Sequence, residues 1–203
     1  RQCEYLLVIN PPPHVSKEVM LWKKKFHQQF DHYLAVVTKP HITLCDFLES
    51  EMKEPEIIKQ IAAVACRHAP IRVSLENFDI FPSHTVFIKV LHPDFIVDVA
   101  SDLKKQMKLP QKSSRFIMNP HLTIARGLDK EKFSRASAEF CLYNYSASFL
   151  AGHLVLIKKE ANVRFAKYEV VKEFKLEGKP SKQLSKNLFK TSTTTLHLQE
   201  YDE

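Results

Sequence analysis

Two pentapeptides carry the chemistry this chain could do: Pro40-His41-Ile42-Thr43-Leu44 and Pro120-His121-Leu122-Thr123-Ile124, with an offset of 80 positions between the histidines. Both read Pro-His-aliphatic-Thr-aliphatic. In a β-strand alternate side chains share a face, so His and Thr point one way and the aliphatic residues the other. Each segment then offers an imidazole beside a hydroxyl, with Cα atoms about 6.5–7 Å apart. Facing each other, two such segments would provide two groups that exchange protons near neutral pH and two hydroxyls that can hold an anion. A lone His-x-Thr is ordinarily a structural or surface feature, whereas two copies at matched repeat positions argue for a shared task.

The elements that must position these residues recur in the same order. Cys3–Asn10 is an apolar, β-prone run ended by Pro11–Pro13. Val15, Val19, Trp22, Phe26, Phe30 and Tyr33 then repeat at steps of three and four, which predicts a helix with Lys23, Lys24 and Lys25 across its outer side. A strand through the first motif to Phe47, a helix over Pro55–Arg67 and a strand over Ile71–Phe81 follow, and Pro82-Ser83-His84 reads as a turn. The order then restarts. Thr85–Leu91 is a strand, Ile96, Val99, Ala100, Leu103 and Met107 mark a helix, and His121–Arg126 is the second motif strand. A helix with Phe133, Ala136 and Phe140 follows an Asp129 cap, and Phe149–Lys159 and Ala166–Leu176 are strand-like. Val8 and Ile88 share the 80-residue offset of the histidines. The chain therefore reads as an internal duplication, with pseudo-repeats over about 3–81 and 84–176 in one domain, 1–176. The segment 177–203 is rich in Lys, Ser and Thr and reads as a polar C-terminal extension.

Composition narrows the classes. The net charge of +7 favours phosphate-bearing ligands. Gly is scarce, at 3 residues, and neither a P-loop nor a dinucleotide-binding glycine pattern occurs. The four cysteines have no C-x-x-C spacing, and no Cys/His cluster or H-E-x-x-H pattern suggests a metal, so no cofactor and no metal are expected. No apolar stretch approaches the ~18 residues of a membrane span. The apolar N-terminal run is short and is not expected to be a secretory signal. The expectation is a monomer in a reducing, cytoplasmic compartment, with the nucleus as an alternative.

The paired motif, the repeat order and the run His121-Leu122-Thr123-Ile124-Ala125-Arg126 resemble the 2H phosphoesterase superfamily, in particular its 2′-5′ RNA ligase-like, cyclic phosphodiesterase branch. Phe78 and Phe81-Pro82, ahead of the strand Val86–Val90, are also similar to that branch. The resemblance implies an α+β fold: a duplicated β-α-β-α-β unit in two lobes, with antiparallel sheets forming a central cleft and helices outside. It implies a metal-independent phosphodiesterase acting on 2′,3′-cyclic or 2′-5′ phosphodiester bonds of RNA or nucleotides. His41 would be the acid and His121 the base in hydrolysis, and the reverse reaction would exchange the roles. The alternatives are a non-catalytic nucleotide- or RNA-binding module on the same fold, and a 2′-5′ RNA ligase.

Opening a cyclic phosphate by water requires one group to take a proton from water and another to give one to the leaving oxygen, on opposite sides of phosphorus. Thr43 and Thr123 would bind the non-bridging oxygens. Arg126 would reinforce them, although strict alternation points it away from His121, so a bulge or the strand end must turn it. Phe78, Phe81 and Tyr33 are the candidates for stacking on a base. Cys45 lies close in sequence to His41, but a Cys–His pair is not expected. The remaining histidines, His14, His27, His32, His68, His84, His92, His153 and His197, receive no role.

Overall fold

The computed structural model describes residues 1–163 and 166–179. Among them are nine strands and five α-helices in a mixed α+β arrangement with antiparallel pairing throughout. In chain order these are β1 (Gln2–Ile9), α1 (Pro13–Phe30), α2 (Leu34–Val37), β2 (Ile42–Ser50), α3 (Glu54–Ala65), β3 (Ile71–Phe81), β4 (Thr85–Leu91), α4 (Asp94–Gln106), β5 (Ser114–Phe116), β6 (His121–Ala125), α5 (Lys130–Phe140), β7 (Ser146–Ala151), β8 (His153–Glu160) and β9 (Glu169–Lys175). The sheet runs β7-β3-β4-β6-β2-β1-β8-β9, with β5 laid along β2. Its two halves meet at a single rung, Ile42 opposite Leu122.

The two halves of the sheet are not the two halves of the sequence. One contains β1 and β2 with β8, and the other β4 and β6 with β3, so each third strand has crossed to the other repeat's sheet. Of the helices, only the first of each repeat crosses, α1 onto β6 and α4 onto β2. α1 and α5 pack on the β4-β6 side, and α3 and α4 on the β2-β9 side. Each half of the sheet is therefore completed by a strand, and covered in part by a helix, from the other half of the sequence.

Local chemistry sets the helix ends. Pro13 opens α1, where a missing N–H costs nothing, and Asp31, at φ 46°, closes it in the left-handed region. The Asp129 carboxylate accepts from the Lys132 N–H at the start of α5, as a side-chain cap should. Beneath the second motif Phe26, Phe30, Phe78 and Phe140 pack as one aromatic cluster, with Phe78 edge-on to Phe140 at 5.3 Å. Each such buried side chain contributes roughly 1.5–3 kcal/mol of hydrophobic stabilisation.

The structure departs from the sequence reading at several places. The single strand expected over Phe149–Lys159 is two, broken at Gly152. Tyr33 lies beyond α1, and a short helix, α2, was not anticipated. The extension expected from residue 177 begins by bonding to the end of α3, where Gly178 and Lys179 donate to the carbonyls of His68 and Cys66. The rest of that extension, 180–203, lies outside the described residues.

Candidate active site

The two motifs are neighbours. β2 and β6 pair antiparallel at Ile42–Leu122, and that register, continued one residue each way, sets His41 opposite Thr123 and Thr43 opposite His121. The two histidines are thus diagonal neighbours, about 7–8 Å apart at the backbone. Ile42, Leu44, Leu122 and Ile124 are all fully buried in the core under the helices. His41, Thr43, His121 and Thr123 are only partly buried and point to the opposite face, which the helices leave uncovered.

Both imidazoles are held alike. His41 Nδ1 lies 2.8 Å from the Lys39 carbonyl, and His121 Nδ1 lies 2.8 Å from the Asn119 carbonyl. A carbonyl only accepts, so Nδ1–H is the donor in both rings and Nε2 carries the lone pair that can take a proton. Buried Pro40 and Pro120 stand between each histidine and its carbonyl. Proline keeps the preceding residue extended, which aims that carbonyl back at the ring. The proline of the pentapeptide therefore acts through the histidine tautomer.

Burial lowers the proton affinity of His41 below the ordinary 6.5, and the charges of Lys23, Arg126 and His121 lower it further, against the hydrogen bond to Lys39. His121 is lowered chiefly by burial, then by the charge of Arg115, against its bond to Asn119. Both imidazoles are therefore mainly neutral at pH 7 in the unliganded protein.

A bulge turns Arg126 toward the histidines. Thr123 pairs with Phe87 and Ala125 with Val86, which leaves Ile124 as the extra residue. Ile124 and Ala125 are both buried, and the exposed Arg126 returns to the His/Thr face. Its charge is felt at His41, at the buried Lys23 and at Tyr168. β2 has the same bulge at the repeat-related position, since Thr43 pairs with Val8 and Cys45 with Leu7 around Leu44.

The three aromatic candidates separate. Phe78 is 4% exposed and pairs across with Ile88 on the core face. It cannot stack on a ligand base, which corrects the expectation. Positions 78 and 81 differ by an odd number, so an extended strand puts them on opposite faces. Phe81 is on the histidine side, stacked on Phe87 at 4.0 Å and edge-on to His121 at 4.8 Å. Tyr33 is 68% exposed at the start of α2, and its ring contact is His27 at 5.8 Å. Cys45 is fully buried, and burial pushes its thiol well above the ordinary range, so it offers no nucleophile.

Several residues of the site were not read from the sequence. Phe87 tilts against His121 at 5.2 Å. The His32 ring bonds the Arg126 carbonyl through Nε2 at 3.1 Å. Lys23, expected on the outer side of α1, is buried. Asp46 and Arg115 form an ion pair on adjacent strands. The one signal available in sequence was arithmetic: Asp46 precedes Arg126 by the 80-residue repeat offset. Among the described residues no three His, Cys, Asp or Glu side chains gather closely enough to hold a metal ion. Among them, too, no helix is long and apolar enough to cross a membrane.

Residues 11–162 match the family model of the 2′-5′ RNA ligase superfamily, and the chain belongs to that family of 2H phosphoesterases. A protein of Shouchella clausii that carries a phosphoesterase name is 27% identical over 156 residues, covering 75% of this chain and 88% of its own length. Solved structures agree in fold. Escherichia coli LigT complexed with 3′-AMP aligns with a TM-score of 0.68 at 16% identity over 87% of this chain and 99% of its own. The Thermus thermophilus protein TT0787 aligns with a TM-score of 0.59 at 17% identity over 87% and 99%. LigT has also been crystallised with phosphate, with ATP and with NADP+.

Proposed function

We propose that the chain is a metal-independent phosphodiesterase that hydrolyses 2′,3′-cyclic or 2′-5′ phosphodiester bonds of RNA or nucleotides. The observation that carries this reading is the pair of imidazoles on one open face of adjacent strands, each with Nδ1 bonded to a carbonyl two residues back and Nε2 left for chemistry. Two such groups cover both proton transfers of phosphodiester hydrolysis. Thr43 and Thr123 alternate with them and would hold the non-bridging oxygens, while Arg126 would offset the charge that gathers on phosphorus. His41 serves as acid and His121 as base for hydrolysis. A base of the substrate would stack on the part of Phe81 that remains open. Membership in the phosphoesterase family, the net charge of +7 and the nucleotide complexes of LigT all support a nucleotide or RNA ligand.

The test is turnover of a dinucleotide 2′,3′-cyclic phosphate, with chelator present, by wild type, His41→Ala and His121→Ala. Each substitution lowers kcat by about 10²-fold or more, the usual worth of a general acid or base. Wild-type turnover in either variant ends the catalytic assignment. Tight binding with no product in the wild type identifies a binding module instead.

A further inference from the structure

The sheet face that bears the two histidines contains a second arginine that the proposed chemistry does not use. β5 runs antiparallel to β2 with Arg115 opposite Asp46, and both side chains lie on one face of the sheet. The bulge at Leu44 turns Asp46 to the face of His41 and Thr43, just as the bulge at Ile124 turns Arg126. The two repeats therefore present opposite charges at equivalent positions, an arginine at one and an aspartate at the other. A bare carboxylate there would repel a phosphate ligand. Arg115 covers it, with Nε at 2.9 Å and Nη2 at 2.8 Å from the same oxygen, Asp46 Oδ2.

Those two contacts leave the Nη1 amino group and one Nη2 N–H without a partner among the described residues. The Arg115 side chain is 71% exposed, against 29% for Asp46. The carboxylate thus works as a tether that fixes the guanidinium while its outer edge faces solvent. Along the paired strands the order is Arg126, His41 with Thr123, His121 with Thr43, then Arg115 with Asp46. Each end of the imidazole pair has its own guanidinium. Asp46 lies about two strand rungs beyond Thr43, and Arg115 one strand across from it, so its backbone is about 8 Å from that of Thr43. That separation suits a neighbouring nucleotide unit rather than the phosphate held between the imidazoles.

We propose that Arg115, fixed by Asp46, recognises a second phosphate of the substrate on the His121 side of the scissile one. This rests on the phosphodiesterase reading for what lies between the histidines. The second phosphate is either the next diester of an oligonucleotide or the terminal phosphate of a nucleotide.

Calorimetric binding, which needs no turnover, tests it. Wild type, Arg115→Gln and Asp46→Asn are titrated with uridine 3′-monophosphate, uridine 3′,5′-bisphosphate and the dinucleotide UpUp. The wild type binds at least one two-phosphate ligand about tenfold tighter than the monophosphate, the usual worth of a charge-assisted contact. The better of the bisphosphate and the dinucleotide identifies the source. In Arg115→Gln that preference falls to near one, and the slope of log affinity against log salt drops by about 1 for the two-phosphate ligand only. Asp46→Asn loses part of the preference, because the guanidinium is no longer held. A wild type with no preference, an Arg115→Gln that keeps it, or equal weakening toward one and two phosphates each overturns the proposal. An intact preference in an enzyme that hydrolyses nothing would sink the phosphodiesterase reading and leave the Arg115 site standing.

Discussion

Lys23 offers a direct test of the electrostatics behind His41. It interrupts the buried stripe of α1 and is 2% exposed, with Nζ donating to the Ala35 carbonyl at 3.0 Å and to Thr38 Oγ1 at 3.4 Å. Neither partner carries a charge. Burial first, and the charge of Arg126 second, lower its proton affinity from the ordinary 10.5 to about 8. That difference corresponds to about 3 kcal/mol. Below the folded value the ammonium is charged in both the folded and the unfolded chain, and the fold bears the whole cost. As pH rises from about 8 toward 10.5 the folded lysine loses its proton while the unfolded one keeps it. The unfolded chain then binds more protons, so stability rises with pH by that amount. Lys23→Met removes the charge at similar length and carries no such dependence. Urea unfolding of both proteins, followed by Trp22 fluorescence at several values between about pH 7.5 and 10.5, should show the wild type gaining about 3 kcal/mol relative to the variant. Parallel curves would refute the buried-ammonium argument. The same substitution removes a positive charge that helps hold His41 neutral, so the His41 limb of a pH–rate profile should move to higher pH.

Further outcomes follow from the site and from the core beneath it. Both histidines have proton affinities below 6.5, and the proposed acid-base mechanism needs one protonated and the other neutral, so on that reading kcat/KM for a cyclic phosphate should peak on the acid side of 6.5. Bound phosphodiester is an anion that favours imidazolium, so the kcat profile should lie at higher pH than that of kcat/KM; coincident profiles would place the anion away from the rings. Phe78→Ala should destabilise the fold by about 3–5 kcal/mol, as deletion of a buried aromatic does. Phe81→Ala should instead weaken nucleotide binding by about 1–3 kcal/mol with less effect on stability, and the opposite assignment in unfolding and binding assays would reverse the faces given to the two rings.

Alternation explains which residues could be read in advance. His41, Thr43, His121 and Thr123 were legible because their spacing of two assigns a face without knowledge of any neighbour. The helices were legible from apolar steps of three and four, and the Asp129 cap from its residue type. A lysine reads as solvent-facing by its charge, but the helical period carries Lys23 into the core with Val19 and Phe26. Phe78 and Phe81 are both aromatic, and only strand parity puts them on opposite faces of β3. Arg126 needed a bulge, and a bulge shows itself only when a partner strand sets the register.

Taken alone, the residue string determined the two motifs, their duplication and the 80-residue offset, since each is a periodicity carried by the chain itself. The tertiary structure decided which strands meet. It exchanged β3 and β8 between the two halves of the sheet, joined β2 to β6 at one rung and brought Arg115 onto Asp46. Pairing across 69 residues, as for Arg115 and Asp46, depends on loop closure and on burial of both halves of the sheet together, and neither leaves a local mark in the sequence.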